Sequence, residues 1–289
     1  AIYRALGATV TSLGRSEQFI PVDTEAIRPE DSALAAQWAA GGEFDAILSA
    51  DGDCDRPLIA DQRGRWLRGD VAGVLCAQFL DAREVATPVS CNSIVELCGA
   101  FRQVMRTRIG SPYVIEAMDQ AAQQGDGVVV GYEANGGFLT HSVIERDGRQ
   151  LAALPTRDAA IVHLALLARS KEAGLSLADL VATLPQRYTA SDRLVEFPTR
   201  RSQQILADFI GDDPQGIGAR LGAAFGHLCG QVQAVDATDG LRATFDNGEV
   251  IHLRPSGNAP ELRIYNEAAS EARVRELNRA CLDIMAGWR

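Results

Sequence analysis

The sequence predicts an α/β chain that passes, in its last third, into a smaller α+β domain. Three observations carry this expectation. Short apolar runs alternate with helical stretches as far as Leu184, the pattern of parallel strands covered by helices. Pro185 to Pro198 breaks the alternation and reads as a linker. Beyond it, strand-like segments are joined by Asp239-Gly240 and Asn247-Gly248, pairs that favour tight antiparallel turns.

The elements follow in order. Ala1 to Val10 carries no Met and reads as the end of a helix, then Gly7, then a strand over Thr9 to Leu13, so the chain is expected to begin inside a domain. Glu30 to Ala40 is Ala-rich and helical. Phe44 to Ser49 is a short apolar run, expected as a buried strand, and it ends in the acidic stretch Asp51 to Arg56. Leu58 to Ala60 and Trp66 to Leu67 flank the turn Asp61-Gln62-Arg63-Gly64, a hairpin signal. Asp70 to Leu80 is a helix, Glu84 to Ser90 a strand, Ile94 to Phe101 a helix, Gln103 to Thr107 a strand, Pro112 to Gln124 a helix and Val128 to Tyr132 a buried strand. Phe138 to Glu145 and Gln150 to Leu154 pair around Asp147-Gly148, and Asp158 to Glu172 is a helix. The last third reads as helices over Gln203 to Phe209 and Ile217 to Phe225. Strands follow over Val232 to Asp236, Leu241 to Phe245, Val250 to Arg254 and Leu262 to Glu267, before a long helix running to Trp288.

Composition bounds the function. A chain of 289 residues is expected to hold two or three domains, and 46% hydrophobic with 23% charged residues describes a globular protein. The net charge of −10 disfavours nucleic acid and anionic lipid as partners, because each phosphate contact needs a local cation. Any phosphate binding therefore falls to a few focused arginines; Lys171 is the sole lysine. Cys54, Cys76, Cys91, Cys98, Cys229 and Cys281 form no Cys-x-x-Cys pair and read as reduced thiols of a cytoplasmic protein. No apolar run is long enough to span a membrane, and no signal peptide opens the sequence.

Three loops carry chemistry. In Asp51-Gly52-Asp53-Cys54-Asp55-Arg56, carboxylates at alternate positions can converge on one hard cation, and Gly52 is expected to let the loop turn tightly. An EF-hand requires Gly at the sixth position and Glu at the twelfth, where this sequence has Arg56 and Gln62. Asp-x-Asp after a strand also occurs in haloacid-dehalogenase phosphatases. There Asp51 would be the nucleophile and Asp53 the acid, with Gly211-Asp212-Asp213 as the distal motif. The second loop, Gly131-Tyr132-Glu133-Ala134-Asn135-Gly136-Gly137, follows an apolar strand at the end where ligands bind in α/β sheets, and Glu133 and Asn135 can hydrogen-bond sugar hydroxyls. In the third, Arg254-Pro255-Ser256-Gly257-Asn258-Ala259-Pro260 followed by Arg263, guanidinium groups bracket a Ser/Gly/Asn turn that can cradle a phosphate dianion with its backbone N–H groups.

In this order the three loops resemble those of the α-D-phosphohexomutase superfamily. The segments DGDCDRP, VSCNS, TRIGSPYV, GYEANGGF and RPSGNAPELR are most similar in wording to its phosphomannomutase branch. The resemblance implies related three-layer α/β/α domains, the first incomplete, and a smaller α+β C-terminal domain. Residues 1–83 would be the later part of a metal-binding domain, 84–190 a sugar-recognition domain and 191–289 a phosphate-binding domain. A missing N-terminal domain would carry a Thr-Ala-Ser-His-Asn-Pro phosphoserine motif. Thr189-Ala190-Ser191-Asp192 lacks its His-Asn-Pro continuation and reads as a turn or helix cap.

The resemblance further implies reversible conversion of hexose 6-phosphate to hexose 1-phosphate through a bisphosphorylated sugar, with mannose as the expected hexose and glucose or glucosamine as alternatives. Asp51, Asp53 and Asp55 would hold Mg²⁺, and Arg56 would touch the transferring phosphoryl group. Glu133 and Asn135 would hold the sugar; Arg254, Ser256, Gly257, Asn258 and Arg263 would hold the other phosphate. A non-catalytic phosphosugar-binding chain and the phosphatase remain as competing readings. Three residues depart from the family pattern: Cys54 where a small residue is usual, Gly137 where many members have histidine, and Ala259 where Glu is common.

Overall fold

The computed structural model describes residues 1–257 and 259–289, and of Pro214 the backbone alone. The element order is α1 (Ile2–Ala5), α2 (Pro29–Ala39), β1 (Ile47–Ala50), β2 (Pro57–Ala60), α3 (Gly69–Phe79), β3 (Glu84–Pro88), α4 (Ile94–Leu97), β4 (Gln103–Thr107), α5 (Ser111–Gln124), β5 (Val129–Tyr132), β6 (Phe138–Thr140), β7 (Ile144–Arg146), β8 (Arg149–Leu151), α6 (Ala159–Ala173) and α7 (Leu177–Ala182). There follow β9 (Tyr188–Leu194), α8 (Thr199–Ile210), a 3₁₀ turn at Pro214–Gly216, α9 (Ile217–Cys229), β10 (Val232–Asp236), β11 (Leu241–Phe245), β12 (Val250–Pro255), β13 (Leu262–Ala268) and α10 (Glu271–Ala286). Two compact units result. One comprises Ala1–Thr87, Cys98–Met105 and Val114–Leu184; the other comprises Pro88–Leu97, Arg106–Tyr113 and Pro185–Arg289.

The first unit is α/β. Its four-stranded sheet has the order β4-β3-β5-β6, with β3 and β5 parallel and β5 and β6 antiparallel. Strands β3 and β5 are buried along their whole length, and α5 lays Val114, Met118 and Ala121 against Ala86, Val129 and Leu139. This is why β5 reads as a continuous apolar run rather than an alternating one, while β3 buries Glu84 and Thr87 beside Val85 and Ala86. The sequence expectation of parallel strands holds for this pair, while Ile47–Ala50 pairs antiparallel with Pro57–Ala60 and buries only Ile47. No strand forms over Thr9 to Leu13, and the strand expected over Phe138 to Glu145 is interrupted after Thr140. Asp147-Gly148 does make the turn of the β7–β8 hairpin, with both residues at positive φ.

Helix α6 anchors this unit. Asp158 caps it by accepting from Ala160 N at 2.8 Å, and Gly174 ends it in the left-handed region at φ 64°. Its His163 is buried between Leu58 O (3.2 Å) and Tyr3 Oη (2.9 Å), which ties α1 to the core.

The second unit is α+β, as expected for the last third. Its all-antiparallel sheet runs β10-β11-β12-β13-β9, and β9 lies in the segment that reads as a linker: residues 188–194 pair along their whole length with β13. Period-two alternation assigns the faces. Ile251, Leu253, Leu262 and Ile264 join Phe197, Phe225, Phe245, Leu277 and Met285 in the core under α8, α9 and α10. His252, Arg254, Arg263 and Tyr265 therefore stand on the opposite face. The segments 88–97 and 106–113 are held to this unit by polar contacts. Ser93 N and Oγ donate to the Glu267 carboxylate, Asn92 Nδ2 donates to Arg187 O at 3.0 Å, and Ile109 N donates to Asp239 Oδ2 at 3.0 Å.

Each unit thus contains one buried imidazole whose pKa is pushed down to about 4. Burial is the main cause at both sites, opposed at His163 by Leu58 O, Asp158 and Ser49 O. At His252 the opposition comes from Asp239, and Arg242 and Arg254 act with burial. The folded units hold these rings neutral, so between pH 6.5 and about 4 the unfolded chain binds the extra proton. Unfolding free energy is then expected to fall as pH falls through that window, by on the order of 3 kcal/mol per imidazole. Urea melts at pH 7 and pH 4.5 measure it. A His163→Gln variant whose pH dependence matches the parent's would remove His163 from the account.

Candidate functional site

The acidic loop closes the β1–β2 pair. Asp51 N donates to Arg56 O (3.1 Å) and Cys54 N to Asp51 O (3.1 Å), so the loop is folded on itself. The left-handed residue here is Cys54, at φ 62°, not Gly52. Gly52 instead makes room, since a Cβ there would stand 2.4 Å from the Phe19 ring. Asp51 is buried; its carboxylate accepts from Arg56 N at 3.0 Å and Arg56 Nε at 2.5 Å. Burial alone would raise the Asp51 pKa, but the Arg56 backbone and guanidinium hydrogen bonds overcome it and hold the carboxyl below its ordinary range. One oxygen from each of Asp51, Asp53 and Asp55 comes within 4.8 Å of the others, as their alternation suggests.

The second loop connects β5 to β6. Glu133 N donates to Gly137 O (3.0 Å) and Gly136 N to Glu133 O (3.0 Å), with Gly136 at φ 91°. Asn135 Oδ1 accepts from Gly137 N at 2.9 Å, and its main-chain oxygen accepts from Thr24 Oγ1 at 2.6 Å. The side-chain oxygen of Asn135 is thus used inside the loop, which leaves its amide N–H₂ as the group that can turn outward. Glu133 is buried, and its Oε1 has no hydrogen-bond partner among the described residues. Burial raises the Glu133 carboxyl above its ordinary pKa, against the pull of Arg157.

Arg157, which no sequence motif marks, joins the two loops. Its Nε lies 2.8 Å from Asp55 Oδ2, and its Nη1 lies 3.8 Å from Glu133 Oε1. The side chain crosses Gly137, where a Cβ would come 2.4 Å from Arg157 Cδ. Nothing local marks this arginine in Leu154-Pro155-Thr156-Arg157-Asp158; its neighbour Asp158 carries the recognisable helix-cap signal.

The third loop lies in the other unit, between β12 and β13. The sequence suggests a turn bracketed by guanidinium groups and lined with backbone donors. The structure gives both arginines internal counter-ions: Arg254 Nε is 3.0 Å from Asp239 Oδ2, and Arg263 Nη2 is 3.0 Å from Glu261 Oε2. Ser256 N donates to Glu261 O at 3.0 Å, so that backbone donor is also committed. Ser256 Oγ is buried with no hydrogen-bond partner among the described residues, and Gly257 is exposed. Asn258 lies outside the described residues. Ser191 sits mid-strand opposite Tyr265, not in a turn or helix cap. Gly211-Asp212-Asp213 follows α8, with Gly211 as its C-cap and both carboxylates exposed.

Among the described residues no helix is long and apolar enough to cross a membrane. Residues 68–188 match the profile of phosphoglucomutase/phosphomannomutase alpha/beta/alpha domain III, and residues 212–284 match that of the C-terminal domain. The chain is 47% identical over 270 residues to a phosphomannomutase of Salmonella muenchen (93% of the chain, 55% of the relative). It is 45% identical over 262 residues to a phosphomannomutase of Sinorhizobium fredii (91% and 54%). The chain therefore spans about half the length of these curated relatives. Among solved structures, a phosphoglucomutase/phosphomannomutase family protein of Burkholderia thailandensis shares the fold at TM-score 0.65 and 16% identity, over 92% of this chain and 51% of that one. An N-acetylphosphoglucosamine mutase of Aspergillus fumigatus, solved with GlcNAc-6P and magnesium, does so at TM-score 0.57 and 18% identity, over 83% and 52%. Together, the domain matches and the identity to these relatives show that the chain belongs to the phosphoglucomutase/phosphomannomutase family.

Proposed function

We propose that this chain is the metal-, sugar- and phosphate-binding part of a phosphohexomutase that interconverts hexose 6-phosphate and hexose 1-phosphate, with mannose as the hexose, through a phosphoserine and a bisphosphorylated sugar. The observation that carries the reading is the meeting of the Asp51, Asp53 and Asp55 carboxylates with buried Glu133, bridged by Arg157, in one compact unit. The relatives named phosphomannomutases support mannose.

The acidic loop fits Mg²⁺. It offers three hard oxygen donors within 4.8 Å of one another, and Asp55 Oδ1 is buried without a hydrogen bond among the described residues. Asp51, Asp53 and Asp55 would hold the ion, which when bound supplies positive charge where the phosphoryl group is transferred. Arg56, anchored on Asp51, presents the rest of its guanidinium to the transferring phosphoryl group. Glu133 accepts hydrogen bonds from sugar hydroxyls through Oε1, which has no hydrogen-bond partner among the described residues, and Asn135 donates to them. Arg254, Ser256, Gly257, Asn258 and Arg263 take the other phosphate.

The test is Mn²⁺ titration followed by electron paramagnetic resonance. Asp51→Asn is expected to weaken Mn²⁺ by roughly tenfold or more, since it removes one of the converging charges. Arg157→Gln is expected to tighten it roughly threefold, because the guanidinium competes with the ion for Asp55. Unchanged affinity in Asp51→Asn would sink the metal reading. Weaker Mn²⁺ binding in Arg157→Gln would show that Arg157 supports the loop rather than competing with the ion.

A further inference from the structure

The register of the C-terminal sheet puts three arginines in one row. Arg254 on β12 lies directly opposite Arg263 on β13, and Arg263 lies directly opposite Arg193 on β9. Opposed residues on neighbouring strands share a face of the sheet. Leu253, Leu262 and Ile264 lie in the core and Leu194 packs against it, so the row stands on the face away from α8, α9 and α10. Like charges directly across a strand pair are destabilising, and neighbouring anions offset that cost.

The chain supplies two. Asp239 engages Arg254 at 3.0 Å. Glu261 lies between the other two guanidinium groups, with Oε2 at 3.0 Å from Arg263 Nη2 and Oε1 at 3.4 Å from Arg193 Nε. Two oxygens of one anion facing two guanidinium groups is also how phosphate is held. The Glu261 backbone is fixed from both sides, its oxygen accepting from Ser256 N (3.0 Å) and its N–H donating to Ala259 O (2.8 Å). Its side chain can therefore turn away through its own torsions while the turn stays intact. Two residues beyond Arg254, buried Ser256 Oγ has no partner among the described residues and is available to an incoming oxygen.

We propose that Arg193, Arg263 and Arg254 form one anion site for the phosphate group of a phosphorylated ligand, and that Glu261 is its internal occupant, a carboxylate displaced when a phosphate dianion arrives. This rests on the phosphate-loop reading above and extends the site to Arg193 and Glu261. Arg193 completes the row as a third guanidinium. Glu261 keeps the arginines ordered without ligand, and its competition sets a threshold that favours a dianion over a monoanion.

The experiment is calorimetric titration of inorganic phosphate into the chain and its variants at constant ionic strength, with melting curves to confirm folding. Glu261→Gln removes the competing charge and is expected to bind phosphate roughly threefold to tenfold more tightly; Arg193→Gln is expected to weaken binding by a similar factor. Arg193→Lys keeps the charge but loses the fork and is expected to fall between parent and Arg193→Gln, which also guards against a folding artefact. Phosphate affinity in Glu261→Gln equal to or below the parent's, or an unchanged value in Arg193→Gln, overturns the proposal. If Arg254→Ala loses phosphate while the Arg193 and Glu261 variants match the parent, the proposal falls and the phosphate-loop reading stands. If phosphate binds neither the parent nor any variant, both fall.

Discussion

Gly69→Ala is expected to destabilise the unit that carries the acidic and sugar loops by about 3 kcal/mol, the range of severe overpacking. A Cβ at position 69 would stand 2.1 Å from Gly136 N, 2.5 Å from Gly136 Cα and 2.6 Å from Ala134 O. All three are backbone atoms of the sugar loop, so no side-chain rotation relieves the clash. One turn along α3, a Cβ at Gly73 would meet the Tyr132 ring at 2.5 Å. The helix therefore approaches the β5–β6 loop through two glycines spaced i, i+4 on one face. Gly226→Ala is the control. Nothing lies within 4 Å of its Cβ position inside α9, and alanine there should stabilise by up to about 1 kcal/mol through helix propensity. Urea unfolding of both variants decides the matter. Equal and small effects would mean that the sugar loop yields to α3 at little cost.

What the sequence revealed and what it hid follow one physical line. Helices α2, α3, α5 and α6 and strands β10 to β13 of the C-terminal sheet were legible within a few residues, because periodicity and turn residues are local. Strand β9 was hidden because its residues, Tyr188 to Leu194, alternate weakly and expose Ser191 to Arg193; only pairing with β13 makes them a strand. The acidic triad was legible because its spacing is local too. Arg157, Arg193 and Glu261 were not. Arg157 stands next to a helix cap and reaches Asp55 only through the fold, and Arg193 meets Glu261 only through strand register. The same limit applies to Arg254 and Arg263, which were legible as cations but not as cations already holding Asp239 and Glu261.

The 289 residues on their own are expected to show no mutase turnover, the largest effect that the proposed function implies. Positioning and electrostatic stabilisation cannot transfer a phosphoryl group without a carrier. No serine in this sequence stands in a Thr-Ala-Ser-His-Asn-Pro stretch. The nearest imitation, Thr189-Ala190-Ser191-Asp192, is strand β9, where Ser191 is fixed in register with Tyr265 and Asp192 with Ile264. A serine paired mid-strand with β13, and without a His-Asn-Pro continuation, is a poor candidate for the phosphoryl carrier. Sugar phosphate is still expected to bind weakly, since the sugar loop keeps its buried Glu133. A coupled assay from mannose 1-phosphate, primed with a hexose 1,6-bisphosphate and run on protein free of host mutase, is the measurement. Adding a separate chain that carries the phosphoserine loop should bring turnover up from background. Robust turnover by the 289-residue chain alone that persists in Ser191→Ala would mean that the carrier lies elsewhere in these residues. Turnover lost in Ser191→Ala would make strand β9 the donor and overturn the argument from its register.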